Sequence, residues 1–329
     1  MQNKDIQSVL TRALTLEATR VTEAAAVAAA RLRGRGDEMA ADLAAARAMR
    51  RALDALALRG TIVIGEGEQD EAPTLFIGER VGAGDGPEVD IAVDPLEGTT
   101  LCAKAMPNAM SVLAIAGRGS LLKVPDIYME KIAVGRGYDR GVIDLDLSPA
   151  ENLARLAQAK GVAVDELTAC ILDRPRHFRL IQEVRAAGAA VRLIGDGDIA
   201  GVIETVEPEE TGVDIYMGIG GAPEGVLAAA ALRCIGGQLQ ARLAPSNEEQ
   251  RALASAMGIT DLGRKYTETD MAAGDVIFAA TGVTDGSLLT GVRFHDGLIE
   301  TNSVIMRGAT GTVRWIVTQH TDMGKFPTV

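Results

Sequence analysis

The rhythm of the chain after about residue 145 restricts its fold more than any other feature. Helix-type and strand-type segments alternate without interruption: helix 149–160, strand 167–172, helix 176–188, strand 190–194, helix 198–206, strand 213–219, helix 223–235, strand 237–243, helix 246–258 and strand 275–281. The helical segments repeat apolar residues at a period of about 3.6, and the strands are short apolar runs bounded by Gly, Pro or Asp. Such alternation is what βαβ units produce, so this half predicts a largely parallel sheet. The earlier half reads differently. Helices are expected over 5–33 and 38–58, joined by Gly34-Arg35-Gly36-Asp37, and apolar runs at 61–64, 89–93 and 111–116 each run into a loop. A closing hairpin is expected from 298–307 and 311–320 around Gly308–Gly311. No Pro/Ser-rich linker interrupts the chain. The expectation is therefore an α/β protein of two tightly packed halves, 1–145 with a mixed sheet and 146–329 with a largely parallel one.

Charge narrows the partners. Of 329 residues, 45 are acidic and 33 basic, a formal net charge of −12. Residues 61–100 hold ten carboxylates and one base, Arg80, a net of −9, while the first sixty sum to +3. A chain this acidic lacks the basic footprint needed for nucleic acid or an anionic membrane. Aromatics at 3% provide no stacking platform for single strands. Cys102, Cys170 and Cys234 are widely spaced and odd in number, which fits reduced thiols rather than a disulfide framework or zinc knuckle. The N-terminus has no apolar h-region and no run approaches the ~18 apolar residues of a membrane span, so a cytoplasmic location is expected.

Two stretches carry chemistry. In Asp90-Ile91-Ala92-Val93-Asp94-Pro95-Leu96-Glu97-Gly98-Thr99-Thr100, an apolar strand delivers Asp94 at its carboxyl end, where ligands bind in α/β folds. Pro95 forces a turn, Glu97 follows, and Gly98 and Thr99 offer backbone N–H groups where a helix can begin. Two carboxylates, a hydroxyl and free amides suit a divalent cation with a phosphate. For the motif alone, the plainer alternative is that Asp94 and Glu97 only cap a helix. The second stretch, 61–71, is a strand ending at Glu66 between Gly65 and Gly67; Glu68, Asp70 and Glu71 read as a solvated acidic loop.

Together these motifs resemble the lithium-sensitive, metal-dependent sugar and inositol phosphatases, which pair a strand-end Glu with D-P-[LI]-[DE]-G-T. Arg35-Gly36-Asp37, the run 61–79, Ala92–Thr99, the run from Pro125 to Lys131, Arg174-Pro175-Arg176-His177, Asp196-Gly197-Asp198 and the run from Gly218 to Gly225 resemble one branch, the class II (GlpX-type) fructose-1,6-bisphosphatases, from about residue 20 to about 310. The resemblance implies a layered αβαβα sandwich of the sugar-phosphatase type. It implies metal ligation by Asp42, Glu66, Asp94, Glu97 and Glu224, with two or three Mg²⁺ or Mn²⁺ per site. Glu97, Gly98 and Thr99 would hold the scissile phosphate, and Thr99, Glu66 and Asp94 would serve catalysis. Tyr128, Arg174, Pro175, Arg176, Asp196, Gly197, Asp198 and Gly221 would line the sugar and its second phosphate. The implied reaction is hydrolysis of the C1 phosphate of fructose 1,6-bisphosphate by a metal-activated water, in a homodimer or homotetramer. One departure is Glu38, where members of the family often carry Lys.

Other assignments fit the same motifs. A relative acting on sedoheptulose 1,7-bisphosphate, on both bisphosphates, or on inositol-type monophosphates would share these motifs. Asp144-Leu145-Asp146-Leu147-Ser148 matches the nucleophile loop of aspartyl-phosphate phosphatases, although Ser148-Pro149 reads more simply as the start of a helix. An acidic ion-binding protein without turnover is the non-enzymatic possibility. His177, His295 and His320 are too scattered for a histidine zinc site.

Overall fold

The computed structural model describes residues 10–67 and 73–327. Glu68, Asp70 and Glu71, and the first residues of the helix expected over 5–33, lie outside the described residues. The chain begins with α1 (Arg12–Ala30), α2 (Glu38–Asp54), β1 (Arg59–Ile64), β2 (Arg80–Val81), β3 (Glu88–Glu97), α3 (Thr99–Ala103), β4 (Met110–Gly117) and β5 (Tyr128–Val134). The alternating stretch follows as α4 (Pro149–Lys160), β6 (Thr168–Leu172), α5 (Phe178–Ala186), β7 (Ala190–Ile194), α6 (Asp198–Ile203), α7 (Pro208–Thr211), β8 (Ile215–Gly221), α8 (Ala222–Ile235), β9 (Gln238–Leu243) and α9 (Glu248–Ala256). It closes with β10 (Tyr266–Thr267), α10 (Glu268–Met271), β11 (Val276–Gly282), β12 (Arg293–His295), β13 (Leu298–Arg307) and β14 (Thr312–His320).

Local chemistry explains the helix ends. The Thr11 side chain accepts from the Leu14 N–H at 3.1 Å, and Asp37 does the same for Ala40 at 2.9 Å. Ser148 and Glu151 form a reciprocal capping box with Pro149 in the first turn of α4, and left-handed Gly161 ends that helix.

Two sheets result among the described residues. The first runs β12-β13-β11-β4-β3-β1-β2, with β14 paired to β13; only β1 and β3 are parallel within it. The second runs β10-β9-β5-β8-β6-β7. It is mixed rather than largely parallel: β6 pairs parallel with β7 and β8, whereas β5 lies antiparallel to both β8 and β9, and β10 antiparallel to β9. The alternating rhythm set the direction of the strands and not their adjacency. Strands β8 and β9 do run the same way, but β5 is inserted between them in the opposite sense. The sheets also exchange strands across residue 145, because β5 joins the second and β11–β14 return to the first.

Packing produces five layers, α-β-α-β-α. The alanine-rich faces of α1 and α2 cover one face of the first sheet, meeting Ile62, Ile91, Ile115, Ile277 and Ile305. Helix α8, apolar nearly all round, lies between the sheets against Phe278 and Val304 on one side and Met129 and Leu239 on the other. Leu153, Leu156, Ile181 and Val184 of α4 and α5 cover the outer face of the second sheet. No described helix is long and apolar enough to cross a membrane. All three cysteines are free and buried, and burial pushes their thiols up to about 11 for Cys102 and about 12 for Cys170 and Cys234.

Candidate active site

The parallel neighbours β1 and β3 deliver their carboxyl ends side by side, with Ile64 opposite Ala92, so Glu66 emerges beside Asp94. The β3–β4 ladder loses register between Asp94 and Glu97, where Pro95 has no N–H to contribute. Asp94 Oδ1 accepts from the Leu96 N–H at 3.0 Å and closes the turn. Gly98 follows at φ +82°, a left-handed conformation that leads into α3. The Cys102 and Ala103 carbonyls of α3 accept from the Gly34 and Gly36 N–H groups, each at 2.9 Å. Those bonds dock the turn before α2, and the first turns of α2 then present Asp42. Glu224 arrives from the second sheet: β8 ends at Gly221, and Glu224 stands in the first turn of α8. A Cβ on Gly221 would overlap the Glu224 carboxylate, so this position admits only glycine without movement.

One cavity of about 340 Å³ gathers Asp42, Glu66, Asp94, Glu97, Glu224, Gly98 and Thr99. Asp126 and Asp196 also line it, and among the described residues no Lys or Arg does. Oxygens of Asp94, Glu97 and Glu224 lie within 4.8 Å of one another. Burial without a cation pushes the carboxyl groups of Asp42, Glu66, Asp94, Glu97 and Glu224 upward. Glu66 rises to about 9, through desolvation and then the charges of Asp42 and Asp94. Glu224 reaches about 7 and Asp94 about 6, with desolvation the leading cause in both. Glu97 lies well above its usual range and Asp42 is raised as well, again mainly through desolvation. Glu224 Oε2 is buried with no hydrogen-bond partner. Hard oxygen donors, an orphaned carboxylate oxygen and mutual repulsion fit divalent cations, which would replace the missing positive charge.

Of the residues expected around the sugar, Asp196 belongs to this lining, and the others lie outside it. In the β5–β8 register Tyr128 stands opposite Gly221, and the Arg176 guanidinium lies 4.6 Å from the Tyr128 ring centroid. Arg176 Nε also donates to the Ile219 carbonyl at 2.9 Å. Arg174 pairs with Asp196 at 3.5 Å, which ties it to the acidic cavity. Pro175 opens the short turn that carries the two arginines. Gly197, at φ +79°, precedes α6, and the Ile199 N–H donates to Glu97 Oε1 at 3.3 Å. Asp198 turns inward: it is buried in an ion pair with Lys131 and accepts from the Tyr216 hydroxyl at 3.3 Å. His177 is buried, with Nε2 accepting from the Ile219 N–H and Nδ1 donating to the Leu172 carbonyl, both at 2.8 Å, so its ring is a structural tie. Glu38 begins α2 and its charge contributes to raising the Asp196 carboxyl, behind the leading desolvation.

Two residues without an assigned role in the sequence emerge here. Asp126 lines the cavity, and buried Lys131 donates to the Gly221 carbonyl at 2.9 Å while pairing with Asp198. Both lie in the run from Pro125 to Lys131, but the signal that matters, β5 pairing with β8, is tertiary. The Asp144 loop forms a strand-free turn into α4. Asp144 pairs with Lys265 at 2.6 Å and does not line the acidic cavity.

Fold and cavity together define a two-sheet α/β protein with a base-free acidic pocket suited to hard cations. The family model described as "Bacterial fructose-1,6-bisphosphatase, glpX-encoded" matches residues 12–320. The chain is 45% identical to a "Fructose-1,6-bisphosphatase class 2" of Haemophilus influenzae, over 94% of this chain and 97% of that protein. It is 44% identical to a "D-fructose 1,6-bisphosphatase class 2/sedoheptulose 1,7-bisphosphatase" of Synechococcus elongatus, over 94% of this chain and 96% of that one. An inositol monophosphatase from Anabaena (Nostoc) sp. PCC 7120 is similar in structure at a TM-score of 0.30 and 13% identity, covering 58% of this chain and 71% of that one. The chain belongs to the GlpX family of bacterial fructose-1,6-bisphosphatases.

Proposed function

We propose that the protein is a divalent-metal-dependent phosphomonoesterase that converts fructose 1,6-bisphosphate to fructose 6-phosphate and phosphate. The observation that carries this reading is the convergence of five carboxylates, from four separate segments, on one cavity with no base among its described lining residues. Asp42, Glu66, Asp94, Glu97 and Glu224 would hold Mg²⁺ or Mn²⁺, the cations that all-oxygen donor sets favour over zinc. When bound, such cations supply Lewis acidity and lower the pKa of water for in-line attack on phosphorus. The Gly98 N–H and Thr99 hydroxyl orient the scissile phosphoryl group, and Thr99 and Asp94 position the attacking water. Glu66, which emerges beside Asp94, would take the proton that the attacking water gives up.

The second phosphate belongs with Arg174 and Arg176, whose guanidinium groups make charge-assisted bonds to an anion that is bound and not cleaved. Tyr128, Pro175, Gly221 and the segment 196–198 would line the sugar. The first half thus mainly serves the metals and the second the sugar phosphate, with Glu224 and Tyr128 crossing over. Sedoheptulose 1,7-bisphosphate is a second candidate substrate, favoured by the name of the Synechococcus relative.

Phosphate release measured side by side from the two bisphosphates tests the proposal. Release from fructose 1,6-bisphosphate that requires added Mg²⁺ or Mn²⁺ supports it. Release that survives chelator, or none from either sugar, contradicts it.

A further inference from the structure

A second cavity, of about 260 Å³, has the opposite character to the first. It lies where α1 and α2 cross and the segment after β14 folds over them. Its floor includes Ala28 and Ala48, its wall Phe326, and among the described residues its charged lining is Arg31, Arg51 and Lys325, with no carboxylate. In a chain of net charge −12, three converging cations with no acid among the described lining residues need an explanation.

Their bonding leaves donors to spare. Arg31 Nη2 donates to the Phe326 carbonyl at 2.9 Å, but Arg31 Nη1 is buried with no hydrogen-bond partner. Arg51 makes no side-chain hydrogen bond or ion pair among the described residues. Its neighbour Arg50 is held by protein groups, pairing with Glu79 at 2.8 Å and with Asp54 and donating to the Arg80 carbonyl at 3.2 Å. The Lys325 ammonium stands 5.2 Å from the Phe326 ring centroid. Glu23, an acid whose charge is felt by Lys325, is buried below and hydrogen-bonded to Thr301 at 3.2 Å and to Thr318. A buried guanidinium N–H without an acceptor costs free energy, which an oxyanion at that point would recover.

We propose that this cavity binds a compact, multiply charged oxyanion of the phosphate type, as free phosphate or as the phosphate group of a small ester. Guanidinium groups match the tetrahedral oxyanion through paired N–H donors, and an ammonium adds a point charge. The space is smaller than the ~300–1,000 Å³ of pockets that take drug-sized ligands, which restricts the occupant to something small. Asp42 and Arg51 are nine residues apart on α2, or roughly 14 Å along its axis, so the two sites are separate.

Metal-free protein carrying Arg174→Ala and Arg176→Ala isolates the effect, because its acidic cavity repels anions and the two arginines assigned to the sugar's second phosphate are gone. Calorimetric titration with inorganic phosphate, at ionic strength held constant with chloride, should saturate at one phosphate per chain. Arg51→Glu should weaken that binding at least tenfold. Arg185→Glu, the same charge reversal on the surface of α5, should leave it within twofold. Heat that never saturates, or equal losses in the two variants, would overturn the proposal. Arg51 and Arg185 are both exposed, so neither substitution disturbs a core. The outcome does not depend on whether the protein hydrolyses a sugar bisphosphate.

Discussion

Lys265 reaches both Asp144 and Asp146 at 2.6 Å, and Arg242 bridges Asp146 at 2.7 Å to Glu130 at 2.8 Å. Oxygens of Asp94, Glu97 and Glu224 also converge, within 4.8 Å of one another, and no described Lys or Arg lines the cavity they share. The consequences for protonation are opposite. Hydrogen bonding to Lys265 holds the carboxyls of Asp144 and Asp146 below their usual range, whereas desolvation lifts those of the cavity above it. In the first cluster the protein supplies the counter-charge itself. In the second it leaves that charge to be supplied from outside. Both clusters match a phosphatase motif in the sequence, so acid spacing alone does not separate a site from a salt-bridged turn. The presence or absence of built-in cations does.

The largest effect expected from this contrast is on turnover. Asp94→Asn should lower phosphate release by on the order of 10³-fold or more, because it removes a proposed ligand from a site whose chemistry depends on fixed charge. Asp144→Asn should stay within about twofold, since a partly exposed ion pair contributes little. Reversal of those two results would assign the chemistry to the Asp144 loop, and a trapped phosphoenzyme would be its companion finding.

Next in size is the buried Lys131–Asp198 pair, which resembles the salt-bridged cluster in pairing and the cavity in burial. Lys131→Met leaves Asp198 buried without its cation and should cost about 3–5 kcal/mol in denaturant-induced unfolding. A loss much below that would mean that water reaches Asp198. On the substrate side, replacing Arg174 and Arg176 together by Ala should raise KM for a sugar bisphosphate by roughly tenfold to a hundredfold, as loss of charge-assisted bonds predicts. KM for a sugar monophosphate should change far less. Equal changes for both would remove the second-phosphate role.

The smallest effect is on stability against pH, and its sign differs between the clusters. A carboxyl raised in the folded state binds protons more tightly than in the unfolded chain. Its stabilisation is complete below the ordinary values of 3.8 to 4.5 and is lost as pH climbs through about 6 for Asp94, about 7 for Glu224 and about 9 for Glu66. For Asp144 and Asp146 the folded values are depressed, so their contribution is present at neutral pH and lost on acidification. Thermal unfolding of metal-free protein should therefore show Tm falling between pH 6 and 9, on the order of several °C. Added divalent cation should remove most of that slope. A metal-free Tm that stays flat or rises over this range would contradict the raised values.

Much of this architecture is legible in the sequence wherever the cause is local. Segment 149–160 matches α4 residue for residue, because Ser148, Pro149, Glu151 and Gly161 write both of its ends. Glu66 and Asp94 are recognisable as strand-end carboxylates, and the structure brings them together through the parallel pairing of β1 and β3. What escapes is tertiary. The insertion of β5 between β8 and β9 has no local mark, and it makes the second sheet mixed and sets Tyr128 against Gly221. Lys131 in mid-strand gives no hint in the sequence that it is buried between Asp198 and the Gly221 carbonyl. Arg31, Arg51 and Lys325 meet only because the end of the chain folds back across the first two helices.

Calorimetric titration of metal-free protein with Mn²⁺, in two buffers of different protonation enthalpy, bears most directly on the claim that the unpaired acids are a cation trap. Saturable binding of two or three ions per chain is predicted, with net proton release as the raised carboxyls ionise, and the Asp94→Asn protein should lose most of that binding. Absence of saturable binding, or an isotherm unchanged by Asp94→Asn, would contradict the account.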